Sequence, residues 1–541
     1  MKKQIKLIIF FFSIALVQFS CTDLEIEETD SILAENFSGL TAEEANSSLT
    51  NMYNSLNNFI ATQENLYALS EVTSDALLIP TRGSDWGDNG LWRQLHQHTW
   101  NPDHRFITNT WNEWNGLQLN ASEIIDDRTP ASAEAKGEAH FLRALAMFII
   151  LDHYGQVPFR DTKALPSVDP EVFTGADAVN FIVEDLNTAI SSLPDATPNG
   201  DNQRATKTSA QLLLAKVLLN KHVYTDTEVN NADMNQVISL VDDITNTGFQ
   251  LHDGYYDIFK EDADSETIWY RPRAVGERTF HTLHYNSTEL GGGGWNGFST
   301  LAEYYDLYEG DPNSNRVDLD GNLLDGQEER RGGVPPQGIP IGDATDPLLQ
   351  GDENGDGFVD GSNVGSGYLI GQQYAPDGSP LEDRNGNPLN FTRDFFDAGS
   401  GEPSLVGNNE VTGIRVIKYN PRFGGGFQNH LIYMRYADAY LMKAEAMFRS
   451  GQDPTTMIND LRSLRGASPL SSVSEQDILD ERGRELFTET WRRNDLIRFG
   501  QYTRDWAFKD PSAVNNPDRK LFPIPATQVN LNPNLVQNPG Y

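Results

Sequence analysis

The chain has 541 residues, 78 of them acidic against 41 Lys and Arg, for a formal charge of −37, and a single cysteine. That length can bury a large core, which excludes a peptide ligand or a disordered tail. The acidity argues against nucleic acid, whose binding depends on clustered Lys and Arg, and against charge-driven docking on an anionic membrane; one cysteine excludes a disulfide framework.

Lys2, Lys3 and Lys6 precede an apolar run from Leu7 to Phe19, broken only by Ser13 and Gln18. This is the charged and apolar pattern of a signal peptide over residues 1–20, too short to span a membrane. Cys21 follows directly and reads as a lipoprotein processing site, the cysteine becoming the lipid-modified first residue. An ordinary secretory signal with an incidental cysteine is the alternative. Residues 21–37 begin Cys-Thr-Asp-Leu-Glu-Ile-Glu-Glu and suit an acidic, solvated tether. Removing the three signal lysines leaves 38 basic against 78 acidic side chains, a mature charge near −40.

Helical periodicity marks three stretches. From Glu138 to Leu151, Phe141, Leu142, Leu145, Phe148 and Ile149 share one face. Leu212 to Leu219 is similar, with Thr206 or Thr208 able to cap its start. Met434 to Phe448 puts Tyr436, Tyr440, Leu441, Ala444 and Phe448 on its buried side. Alanines among the large residues let helices approach closely, the physical content of a tetratricopeptide-like array, although no strict 34-residue repeat is visible. The predicted fold is mainly α: a helical region over 38–250, an irregular, loop-rich subdomain over 251–430 and a helical region over 431–541, as one composite globule. The middle is punctuated by Gly291 to Gly294, Gly310-Asp311-Pro312 and Gly424 to Gly426, and the chain closes in Pro-rich extended structure from Leu521.

Short blocks then carry a resemblance. Glu138-Ala139-His140-Phe141-Leu142-Arg143-Ala144, Tyr154-Gly155-Gln156-Val157-Pro158, Met434 to Leu441, Glu481-Arg482-Gly483-Arg484-Glu485-Leu486, Arg493 to Arg498 and the ending Gln537-Asn538-Pro539-Gly540-Tyr541 resemble the SusD/RagB family in order and over nearly the whole mature chain. The resemblance implies a lipid-anchored protein on the outer-membrane surface of Bacteroidetes, built on about eight tetratricopeptide-like helices. It implies binding of oligosaccharide without catalysis and delivery to a SusC-like TonB-dependent transporter.

Sugars combine apolar C–H faces with a rim of hydroxyls, so a site needs flat aromatics and planar polar side chains. The turn-rich stretch Arg82 to Trp92 and the tetrapeptide Gly294-Trp295-Asn296-Gly297 have that makeup. Trp86 and Trp295 are the expected stacking platforms, with Arg82, Asn89 and Asn296 bonding hydroxyls. Trp92 suits a core plug as well as a ligand contact, and Trp295 a packing motif as well as a platform. Trp111, Trp114, Trp269 and Trp491 are assigned to the core.

Asp352-Glu353-Asn354-Gly355-Asp356-Gly357-Phe358-Val359-Asp360 follows the first half of an EF-hand loop. Asp352, Asn354, Asp356, the Phe358 carbonyl and Asp360 would wrap a structural Ca²⁺; Asn363 stands where a bidentate acid belongs, and a solvated acidic turn is the alternative. No redox or nucleotide cofactor is implied. His96 and His98 alternate as in an extended stretch, and His281 and His284 are three apart, yet neither pair has a zinc ligand set. A glycoside hydrolase or lyase, or a protein-binding helical adaptor, are the competing functions. The negative charge disfavours polyanionic glycans at low salt, and the tryptophans suit a neutral β-glucan such as laminarin.

Overall fold

The computed structural model describes residues 39–541 except 166, 261–263, 276–277, 279–280, 288–292, 316–321, 325, 333–366, 375–378 and 421–429. The signal segment 1–20, Cys21, the tether 21–37 and the calcium loop Asp352 to Asp360 lie outside the described residues. Residues 39–162 and 169–541 form one compact unit. The short stretch 163–168 falls outside it and contains a turn closed by Val168 N–H to the Leu165 carbonyl at 3.0 Å.

The fold is mainly helical, as predicted. Helices α1 (Ala42–Ala61), α2 (Leu91–Gln97), α3 (Arg105–Ile125), α4 (Ala133–Tyr154), α5 (Gly175–Ser192), α6 (Lys207–Thr225) and α7 (Asn231–Asn246) carry the first half. Then come α8 (Tyr436–Arg449), α9 (Thr455–Leu464), α10 (Glu475–Glu485), α11 (Arg492–Arg498) and α12 (Ala526–Leu531). From α3 to α8 each helix packs on the next, and α1 lies on α3. α4 is buried on nearly every side, which explains why its apolar residues continue past the single predicted face. Ala139, Ala144 and Ala146 are fully buried there and permit the close spacing. Thr206, not Thr208, caps α6, accepting from Ser209 N–H in a reciprocal capping box. Met434 and Arg435 belong to a strand, so α8 starts two residues later than its periodicity suggests.

Four two-stranded antiparallel ladders are present among the described residues, three of them in or bordering the loop-rich middle. β1 (Gln156–Phe159) pairs β2 (Glu171–Thr174), and β3 (Thr267–Arg271) pairs β8 (Leu431–Arg435). Within the loop that β3 and β8 close, β4 (Gly367–Leu369) pairs β7 (Arg415–Ile417) and β5 (Gly371–Gln372) pairs β6 (Asn390–Phe391). A small second core of Leu283, Leu369, Leu389, Phe391 and Ile417 holds these strands together. The carboxy-terminal segment, expected to be extended, instead contains α12.

The middle is locked to the helices by buried ion pairs. Arg330 reaches Glu481 at 2.7 Å, and Arg435 reaches Glu266 and Glu485, both at 2.9 Å. Arg465 bonds Glu266 and Glu485 at 3.1 Å. All five of these side chains besides Glu481, and Glu481 too, are fully shielded from solvent. Charges so buried persist only when each is paired and hydrogen-bonded.

Candidate aromatic ligand platform

Two arginines without a carboxylate beneath them build the base of the site. Arg82 is 1% exposed and spends every N–H on the protein. Nε donates to the Asn296 carbonyl at 2.7 Å, one terminal nitrogen to Asn409 O and Thr412 Oγ1, the other to Ser299 Oγ and Thr412 O. Burial lowers its pKa to about 9. Arg415 beside it donates to Asn296 Oδ1 at 2.7 Å and to the Glu410 carbonyl at 3.0 Å. Together the two guanidiniums pin the segment 294–299 to the loop 409–413.

That frame decides where each predicted residue goes. Arg82 and Asn296 were expected to bond hydroxyls, and both expectations are corrected: they are buried under the surface with their polar atoms engaged. Trp92 is 2% exposed, packs on Phe106 at 4.8 Å and donates to Asp88, so it is a core plug. Asn89 is exposed in the turn before α2. Trp295 is 55% exposed although its neighbours Gly294 and Asn296 are buried. Asn296 at φ 54° supplies the left-handed turn that leaves Trp295 outside.

Trp86 lies half-buried between the two environments. Its indole N–H donates to the Trp295 carbonyl at 2.6 Å, and its ring meets Trp92 at 5.9 Å and His281 at 5.3 Å, both edge-on. Gly297 is required here, because a Cβ at that position would come within 2.4 Å of the Trp86 ring. His281 also meets the Trp295 ring edge-on, at 5.5 Å, and so joins the two indoles.

A polar rim that sequence reasoning missed flanks these rings. Arg384 stacks over Tyr285 at 3.7 Å and donates to Asp85 at 2.6 Å and to Glu410. Tyr285 O–H donates to Asp85 at 2.8 Å. Burial pulls the Asp85 carboxyl up, but the bonds from Arg384 and Tyr285 outweigh it and hold it below the ordinary carboxylate range. His284 bonds Glu410 at 3.0 Å and burial keeps it neutral, with its pKa lowered to about 4. The signals for these residues are faint: His281 and His284, three apart without a ligand set, read as core or surface histidines, and Arg384 sits in an Asp-Arg-Asn-Gly turn that Asp383 closes by accepting from Asn385 and Asn387 N–H.

The tryptophans assigned to the core, Trp111, Trp114, Trp269 and Trp491, are buried, as are Trp100 and Trp506. His96 lies on α2 and His98 caps it in the left-handed region, rather than alternating along an extended stretch; both are buried and bond the main chain. Among the described residues no group of three or more His, Cys, Asp or Glu is placed to hold a metal ion. Nor is any described helix long and apolar enough to cross a membrane.

Comparison with known proteins fits this architecture. The SusD family matches residues 265–541, and the family described as "starch-binding associating with outer membrane" matches 27–219. The chain belongs to the SusD family. The starch-binding protein SusD of Bacteroides thetaiotaomicron is 27% identical over 505 residues, covering 84% of this chain and 82% of that protein. Among solved structures, surface glycan-binding protein A from the same species, in complex with laminarihexaose, aligns with a TM-score of 0.63 at 17% identity, over 92% of this chain and 100% of its own. A laminarin-binding SusD-like protein aligns at 0.60 and 20% identity, over 92% and 99%. At such identities the structural likeness shows the fold alone.

Proposed function

We propose that this SusD-family protein captures an oligo- or polysaccharide at the cell surface without cleaving it and passes it to a SusC-like TonB-dependent transporter. The observation that carries the reading is Trp295: a large flat ring more than half exposed between the buried Gly294 and Asn296. An exposed indole beside a guanidinium, a carboxylate and a phenol offers one face for sugar C–H groups and a rim for hydroxyls. The named ligands of its relatives, starch and laminarin, are neutral glucans.

The ligand we favour is a neutral β-glucan of the laminarin kind. Arg384, the cation of the rim, is matched by Asp85 and Glu410, so its own charge is compensated before an acidic sugar arrives. The same pairing supports a non-catalytic role. Asp85 is held ionised by Arg384 and Tyr285, the opposite of the raised pKa a general acid needs. Cys21 would carry the lipid that holds the protein on the outer membrane, and the loop Asp352 to Asp360 would take a structural Ca²⁺.

A polysaccharide array with the lipid-free protein tests the reading, followed by an assay of reducing ends on each glycan bound. Retention of a neutral glucan with no new reducing ends is the expected result. Exclusive binding of polyanions, or release of reducing ends, would overturn it.

A further inference from the structure

Among the described residues of the main unit, the large apolar side chains left exposed are Leu119, Trp295, Val406, Leu531 and Val536. Trp295 belongs to the platform. Leu119 lines a separate cleft of about 180 Å³, formed by α3, the end of β1 with residues that follow it, and the carboxy-terminal segment that carries Leu531 and Val536. None of the cleft's lining residues is acidic, in a chain with 78 acidic side chains.

Its polar lining is mostly amide, with the Ser122 hydroxyl and the Arg160 guanidinium beside the amides. Asn115 donates to the Trp111 carbonyl at 2.9 Å and accepts from Gln118 at 2.8 Å. Asn532 donates to the Pro170 carbonyl at 3.2 Å and accepts from Asn534 N–H at 3.1 Å. Gln528 donates to Asn112 at 3.2 Å. Each of these bonds fixes which end of the amide is oxygen, and each leaves a second N–H and an acceptor lone pair unspent. Deeper, Gln118 is 4% exposed and its Oε1 accepts no hydrogen bond among the described residues. Oriented amides with one donor and one acceptor to spare match adjacent hydroxyls, which donate and accept together. The amides neutralise no charge, and the Arg160 guanidinium can donate to paired hydroxyls, so the lining as a whole suits a hydroxyl-bearing ring. Leu119, Leu535 and the two prolines supply surface for C–H faces.

We infer that this cleft is a second carbohydrate subsite, taking one neutral sugar ring independently of Trp295. The inference rests on the carbohydrate-binding reading above. Two sites on one protein raise retention of a polymer over that of a short oligosaccharide, without either site being tight.

Calorimetry of the lipid-free chain with laminarihexaose, maltohexaose and cellohexaose tests it, using wild type, Trp295→Ala, and the pair Gln528→Leu and Asn532→Leu. Gln528→Leu alone, half-buried on α12, guards against a folding defect in the pair. Two binding events are expected in the wild type with at least one sugar. The weaker should persist in Trp295→Ala and weaken at least tenfold in the cleft variants, and crystals soaked with that sugar should show it against Asn115 and Asn532. A single event abolished by Trp295→Ala would overturn the subsite and leave the platform standing. Cleft variants with unchanged stoichiometry, as expected if a protein partner fills the cleft, would overturn it as well. Failure of all three sugars on the wild type would sink the neutral-glucan reading together with the subsite.

Discussion

The indole N–H of Trp86 donates to the main-chain carbonyl of Trp295 at 2.6 Å, so one tryptophan holds the backbone from which the other projects. The two rings therefore have separable roles. Trp295→Ala removes an exposed ring and should leave stability within about 0.5 kcal/mol of wild type. Its glycan affinity should fall about tenfold or more, the scale of a lost aromatic contact. Trp86→Ala should lose affinity and also lower the melting temperature, because the ring packs on Trp92, His281 and Gly297. Trp86→Phe keeps most of that packing but not the N–H, and should fall between them. Equal affinity in Trp295→Ala and wild type would remove the platform.

Arg82 makes a contrasting prediction. Its alanine variant strips a donor from each of Asn296, Asn409, Thr412 and Ser299 at a buried position. Orphaned buried acceptors cost about 1–3 kcal/mol each, only partly relieved by water, so Arg82→Ala should unfold at markedly lower denaturant than wild type. Any loss of glycan binding should track that destabilisation. A variant of normal stability that no longer binds would return Arg82 to direct contact with the ligand.

These two residues show what was legible in the sequence. Three helices, α4, α6 and α8, could be read from their runs of large apolar residues with alanines between them, and the blocks around Glu138, Met434 and Glu481 sit where helices, β8 and the ion pairs meet. The site was harder. Arg82 lies in a turn of Gly, Ser, Asp and Asn, a composition that normally marks surface, but the loop 409–413 covers it from more than 300 positions away in the chain. Trp86 sits in a turn at φ 59° and Trp92 on α2, and the composition around them does not show that Phe106 and Phe298 close over Trp92. Tyr285 and Arg384 meet across a hundred residues, and nothing in either neighbourhood announces the other.

The buried pairs around Arg435 give a pH signature. Arg435→Met leaves Glu266 and Glu485 short of a partner and should destabilise by about 3–5 kcal/mol. Burial alone would raise the Glu485 carboxyl, but Arg465, Arg435 and Arg330 hold it well below its ordinary value. An acid whose folded pKa is depressed contributes its stability above the unfolded value and loses it as pH falls towards the folded one. The wild type should therefore lose stability steeply below about pH 4.5, and Arg435→Met less steeply, in denaturant titrations run across that range.

Calcium offers an independent check on the loop Asp352 to Asp360. With Ca²⁺ bound, excess chelator should lower the melting temperature, and Asp352→Asn with Asp356→Asn should abolish both the shift and the heat of Ca²⁺ addition. A flat calorimetric trace on the wild type would identify the stretch as a solvated acidic turn.

Glu71 supplies a pH effect of the opposite sign. It is fully buried; Oε1 accepts from Thr490 N–H at 2.6 Å, while Oε2 has no hydrogen-bond partner among the described residues. Burial raises its pKa from 4.5 to about 7, against the pull of Thr490 and of the cations Arg278, Lys418 and Arg492. An acid raised in the folded state contributes stability below its unfolded pKa and loses it as pH climbs through the folded one. The interval is thus roughly pH 4.5 to 7, worth on the order of 3 kcal/mol. Glu71→Gln keeps the acceptor for Thr490 and removes the ionisation. Measured against wild type by urea unfolding, the variant should gain relative stability between pH 4.5 and pH 8, with most of the change complete by pH 7. A difference between the two proteins that stays constant across that interval would show that Glu71 does not titrate there.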